Sequence, residues 1–303
     1  MLRFALAMFL CTGVYAQSVY ATQSVDIEAA ANIYREAAMR EQVRASLGPM
    51  PDHIRQLFST DSAAKLSDQQ LNAVTAAAKR GFRIDVFEAP ALSALAANLD
   101  AATLKKADSF LMSDLGRRMV AADVATSVLD EDTIDKIMNG QISAPSTAQR
   151  EALFDKLEQA ARSSESTVQI FLSMGQAVAI GTAVGSGRDT ASVAETARKS
   201  GEASRAELEH NMRVPLRRFL AYSYRDMSDG DLKHLLAFLV SAPGKRYVSA
   251  YIASLGAGFD AMGRRCGEQL GESLRELAQA QLDVPIGGPA PPAIAAPTPT
   301  RPQ

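Results

Sequence analysis

Two stretches in opposite halves of this chain align without a gap. The first runs Leu99-Asp100-Ala101-Ala102-Thr103-Leu104-Lys105 and leads to Phe110-Leu111-Met112-Ser113-Asp114-Leu115-Gly116-Arg117-Arg118-Met119-Val120. The second runs Met227-Ser228-Asp229-Gly230-Asp231-Leu232-Lys233 and leads to Phe238-Leu239-Val240-Ser241-Ala242-Pro243-Gly244-Lys245-Arg246-Tyr247-Val248. Leu104 and Lys105 fall on Leu232 and Lys233, and Phe110-Leu111 on Phe238-Leu239. Ser113, Gly116, Arg118 and Val120 fall on Ser241, Gly244, Arg246 and Val248. In each copy Asp100 or Ser228 stands where a side-chain oxygen caps a helix start, and the Leu and Phe-Leu positions form one apolar face. Ser113 or Ser241 then caps the next helix, with small residues letting the chain turn sharply. The repeated unit is a helical elbow, so the chain is read as built from helices.

The rest of the sequence follows the same period. Ile27, Ile33, Tyr34, Ala37, Val43 and Leu47 predict one helix from Asp26 to Leu47, ended by Gly48-Pro49. Ser67-Asp68-Gln69-Gln70 predicts a capping box opening a helix to Arg80, and Ser146-Thr147-Ala148-Gln149 predicts another after Pro145. No stretch alternates apolar and polar residues long enough to predict a strand. The chain is 47% hydrophobic but only 6% aromatic, with no Trp, so alanine, leucine and valine must fill the core. Such a core suits close-packed helices better than a sheet. The expected fold is an all-α helical bundle with two related helix-turn-helix segments. Residues 24–140 form an N-terminal half with the first copy, and 146–284 a C-terminal half with the second. Residues 285–303, mostly Pro, Ala, Gly and Thr, are expected to be a disordered tail.

The start of the chain predicts its address. Met1-Leu2-Arg3 is a short positive start, and Phe4 to Tyr15 is an apolar stretch too short to span a bilayer comfortably. Val14-Tyr15-Ala16 offers a cleavage point before Gln17, and Val19-Tyr20-Ala21 a second, so residues 1–16 (or 1–21) read as a secretory signal peptide. Leu10 before Cys11 argues against a lipid anchor. After cleavage Cys266 has no intrachain partner, which excludes a disulfide-stapled scaffold. A net charge of −2 gives no reason to expect nucleic acid as a partner.

The run Met227 to Leu232, followed by Leu236-Ala237-Phe238-Leu239-Val240-Ser241-Ala242-Pro243-Gly244-Lys245-Arg246, resembles the DUF2059 domain of exported bacterial proteins. The resemblance covers roughly residues 205–270 and rests on Leu232, Phe238, Ser241, Pro243 and Gly244. Ala242 stands as an insertion between the serine and the proline, and the copy near residues 95–125 lacks the proline and is a degenerate relative. The resemblance implies an all-α fold and export, and no established activity.

Candidate chemistry is sparse. Glu207 with His210, and Asp231 with His234, stand at helical i, i+3 spacing, as carboxylate–histidine metal ligands of helical bundles do. A solvated helix face or an ordinary ion pair produces the same spacing. His53 has no neighbour suggesting chemistry. Cys266 lies in register with Phe259, Met262, Leu270 and Leu277, the place of a core thiol rather than a nucleophile. Gly185-Ser186-Gly187-Arg188 lacks the Lys-Ser/Thr of a phosphate loop and reads as a linker. Gly263, Gly267 and Gly271 form one ridge of small residues; Ser173, Ala177, Gly181 and Gly185 form another. Together they predict tight helix crossings, against each other or against other helices. Val168 to Gly185 is apolar enough to raise a transmembrane reading, although Gln169, Ser173, Gln176 and Thr182 favour a buried central helix. Finally, Arg117-Arg118 and Lys245-Arg246 put two cations in the first turn of a helix, where the macrodipole prefers anions. Local salt bridges or shared ancestry account for that placement. It is otherwise a candidate interaction surface for an acidic protein or anionic membrane.

No cofactor is expected and no catalytic residue is identifiable. The sequence therefore reads as a non-enzymatic interaction or structural protein of the periplasm or envelope. A metal-binding bundle and a membrane-associated envelope protein stand as alternatives.

Overall fold

The computed structural model describes residues 25–60 and 67–282. The signal-peptide expectation and the tail expectation fall on residues outside these. Helices α1 (Ile27–Glu36), α2 (Met39–Leu47) and α3 (Met50–Thr60) lead to α4 (Asp68–Gly81) and α5 (Ile84–Asn98). The first repeat copy forms α6 (Ala101–Leu111) and α7 (Asp114–Ser127), followed by α8 (Glu131–Met138) and α9 (Ala148–Ala161). Two longer helices, α10 (Ser163–Ser186) and α11 (Thr190–Ser223), precede the second copy, α12 (Asp229–Val240) and α13 (Ala242–Leu282). No strand occurs among the described residues, and the all-α class is as the sequence predicts.

The 41-residue α13 is the mast of the bundle; α4, α5, α6, α10 and α12 all pack on it. Its apolar stripe is enclosed: Phe259 and Met262 are fully buried and Cys266 and Leu270 nearly so. Phe87 of α5 meets Phe259 edge-on, with ring centroids 5.1 Å apart. One hydrophobic cluster joins Ile33, Leu95 and Leu111 from the first half to Leu232, Tyr247 and Phe259 from the second, so the halves share a core. A smaller cluster, with Ile137, Val168, Met212 and Leu216, joins α8 and α10 to the C-terminal part of α11.

Glycine inside a helix costs up to about 1 kcal/mol relative to alanine. The offset is visible at the α10–α13 crossing. A Cβ on Gly267 would collide with the Val178 carbonyl, and one on Gly271 with the Thr182 carbonyl. Gly181 and Gly185 stand in the same relation to the carbonyls of Arg264 and Glu268. The two predicted ridges therefore pack against each other, backbone to backbone. Gly185-Ser186 completes α10 rather than opening a linker. Gly187 ends that helix in the left-handed region (φ 70°).

Three local expectations need correction. The helix predicted from Asp26 to Leu47 is two helices, because Ala38 adopts φ 48° and turns the chain. The buried Gln42 side chain donates to the Ala37 carbonyl at the break (2.8 Å), which supplies a partner there. The cap before α9 is Thr147, not Ser146: its hydroxyl accepts from the Arg150 amide at 3.2 Å. Finally, α10 is not an enclosed central helix. Only 39% of its most apolar stretch is buried, and α13 occupies the centre instead. The Ser67–Gln70 capping box is present as predicted.

Candidate functional site

Both elbows are built by one circuit. The hydroxyl of Ser113 donates to the Phe110 carbonyl (2.5 Å) and accepts from the Gly116 amide (3.0 Å). Ser241 does the same with Phe238 (2.6 Å) and Gly244 (3.0 Å). The serine thus ends one helix and begins the next. A Cβ on Gly116 or Gly244 would strike the very carbonyl that the serine holds, which explains the repeated Ser-x-x-Gly spacing.

The two elbows then face each other. The rings of Phe110 and Phe238 stack in parallel, 3.9 Å between centroids and 2° between planes. Arg118 reaches across to Asp231 with two hydrogen bonds, 2.8 and 3.0 Å, and Arg246 reaches back to Asp100. The arrangement is reciprocal: each copy's arginine binds the carboxylate in the first helical turn of the other copy. Asp100 offers it from the cap position, whereas Asp231 offers it three residues in, after the Ser228 cap. Bonds from Arg118 and from Ser228 hold the Asp231 carboxyl well below the usual carboxylate range.

This geometry divides the candidate interaction surface. Arg118 and Arg246 are committed to internal ion pairs. Arg117 donates to the Met112 carbonyl at 2.6 Å, which pins its guanidinium at the elbow. Lys245 is exposed and makes no ion pair among the described residues. Beside these cations stand two apolar side chains at equivalent repeat positions, Met112 and Val240, about half exposed (51% and 49%).

The metal candidates are not brought together. Glu207 and His210 lie exposed on α11; His234 is exposed on α12, and Asp231 is taken by Arg118. Among the described residues no group of three or more His, Cys, Asp or Glu side chains is placed to hold a metal ion. Cys266 lies against Gly81 of α4 through its backbone and Cβ, and burial pushes its thiol up to about 12. A thiol so raised holds its proton at neutral pH and is a poor nucleophile. The side chain of His53 is outside the described residues.

Sequence reasoning missed three features. Arg150 of α9 closes the loop between α11 and α12, bonding Asp229 (2.6 Å) and the carbonyls of Tyr224 (2.9 Å) and Met227 (2.7 Å). Asp123 of α7 is wholly enclosed beside Tyr224, and burial drives its carboxyl well above its usual range. The third feature is a cavity of about 530 Å³ between α10, α11 and α13. Its floor is apolar, formed by Ile170, Ile252, Ala253 and Ala257, and Gln169, Ser173 and Arg205 line its polar side. The cap serines and the ridges were visible as patterns; a cavity lined by three helices leaves none.

No protein-family model, curated protein or solved structure matches this chain.

Proposed function

We propose that this protein is a non-enzymatic interaction protein of the bacterial envelope, docking an acidic protein partner through its paired elbows. The observation that carries this reading is the repeated surface: an exposed apolar side chain (Met112, Val240) with a first-turn cation (Arg117, Lys245) at each elbow. Apart from the exposed pair Lys105 and Lys233, the other repeated positions serve packing, the elbow circuit or the crossed ion pairs. The pair of elbows therefore offers a partner two similar contacts of apolar body and positive charge. Apolar anchors flanked by cations are the composition that recognises acidic surfaces. The N-terminal sequence supports export, as does the motif-level resemblance of residues 205–270 to exported DUF2059 proteins.

The test is in-cell crosslinking of the tagged full chain with mass spectrometry, comparing wild type with Arg117→Glu plus Lys245→Glu. Arg118 and Arg246 are kept, so the internal clasp stays intact. A discrete partner that disappears in the double variant is the expected outcome. A partner equally captured by the variant, or retention of the protein by washed membranes with no partner, would overturn the reading. The membrane outcome has one observation behind it: α10 is long and apolar enough to cross a bilayer by length and composition. Inserting α10 would, however, require breaking its backbone-to-backbone packing on α13.

A further inference from the structure

Gly256 is out of keeping with the other glycines in the middle of α13. Gly258 meets the Phe87 ring, and Gly263, Gly267 and Gly271 meet α10, but a Cβ built on Gly256 has nothing within 4 Å. Protein packing gives no reason for a glycine there, in the interior of a long helix where alanine is favoured. The open space beside it is the cavity between α10, α11 and α13, about 530 Å³ and within the range of small-molecule sites. Ile170, Ile252 and Ala253 on its wall are all at least nine-tenths buried.

The charges around it are unequal in what they leave free. Both oxygens of Glu165 are held by Arg162, at 2.6 and 2.8 Å. Asp260 is held by Arg264 at 2.7 Å. Both rim carboxylates are thereby paired locally, one by the residue that precedes its helix and the other by a residue one turn along its own helix. Arg205 has only a 3.6 Å contact with Glu209, one turn along α11, and no hydrogen bond among the described residues. Most of its five N–H donors remain for a ligand. Ser173 accepts from Gln169 (2.8 Å) and keeps its own hydroxyl proton to donate. We infer that the cavity binds a single-chain amphiphile with an anionic head, its apolar tail against the wall at Gly256 and its carboxylate or phosphate at Arg205 and Ser173.

The test is isothermal titration of the delipidated full chain with palmitate, hexadecanol and palmitoyl lysophosphatidic acid. Saturable one-site binding of an anionic probe is expected. Gly256→Leu directs a side chain into the space, its Cβ meeting nothing within 4 Å, and should weaken every probe at least about tenfold, with an unchanged melting temperature. Arg205→Gln should weaken the two anionic probes about tenfold and leave hexadecanol unchanged. Tighter binding of the lysophospholipid assigns a lipid headgroup; tighter binding of palmitate assigns a free fatty acid. No saturable binding of either anion, equal binding by Gly256→Leu, or tighter binding of dodecyltrimethylammonium would each overturn the inference. If Gly256→Leu does not fold, the Arg205→Gln comparison decides alone: equal loss for hexadecanol and palmitate refutes the anionic head.

Discussion

The first elbow joins α6 to a 14-residue helix; the second joins α12 to one of 41 residues. Both use the same serine, the same glycine and the same stacked phenylalanine to turn. They differ on the faces that look away from the turn. Where the second copy has Leu236, the first has Asp108, set against Glu36 of α1. Where the second has the buried Tyr251, the first has the buried Asp123. The serine and glycine of the turn, the stacked phenylalanine and the crossing arginine are thus held in common, although the carboxylate that the arginine meets stands at a different repeat position in each copy. The divergence at Asp108 and Asp123 falls on faces turned to other helices, while the leucines of both copies stay in the shared core.

The sharpest way to break this comparison is at the shared glycine. Gly116→Ala and Gly244→Ala should each lose about 2–3 kcal/mol of stability in denaturant unfolding, because the added methyl meets backbone that cannot step aside. A tolerated substitution in one copy would show that the elbows only look alike. A smaller effect is expected at the contact between copies. A double-mutant cycle on Phe110→Leu and Phe238→Leu should give a coupling of about 1 kcal/mol for the stacked pair. Additive losses would mean that each ring packs on its own copy alone.

The smallest effect belongs to a position where the copies differ. Burial and the facing Asp108 carboxylate push Glu36 up to about 7, above its ordinary value of 4.5. The folded state therefore binds a proton that the unfolded state has released. This contribution is complete below about pH 4.5, is lost as pH rises towards 7, and is level above that. Water still reaches the part-buried pair and screens it, so the span should be on the order of 0.5 kcal/mol. Glu36→Gln should abolish it, whereas no such slope should follow from Leu236. An unchanged pH profile in Glu36→Gln would remove the pair from the comparison.

Much of the fold was legible because its signals are local. Caps at Ser67, Asp100, Ser113 and Ser228 work over three residues, and the glycine ridges repeat every four. The break at Ala38 was hidden, since alanine carries no sign of a left-handed turn and the apolar period continues across it. The destination of Arg118 and Arg246 was hidden for another reason. Their acids lie in the opposite copy, and only the folded pairing of elbows brings them close. Of the candidate surface, the cations were found by pattern, but which of them remain available needed the structure. Arg205 and Gly256 gave no motif at all, because a cavity is a relation among three helices.

The contact between α10 and α13 is made by main chain, so neither salt nor a change of protonation can loosen it. The cavity beside it is therefore like a vice with one fixed jaw. Two of its walls are held together at the end where Gly263 meets Met174, and the third, α11, rests on α10 in its N-terminal part chiefly through small or exposed side chains. Entry and release of whatever lodges there then become a question about the swing of a single helix carrying Arg205.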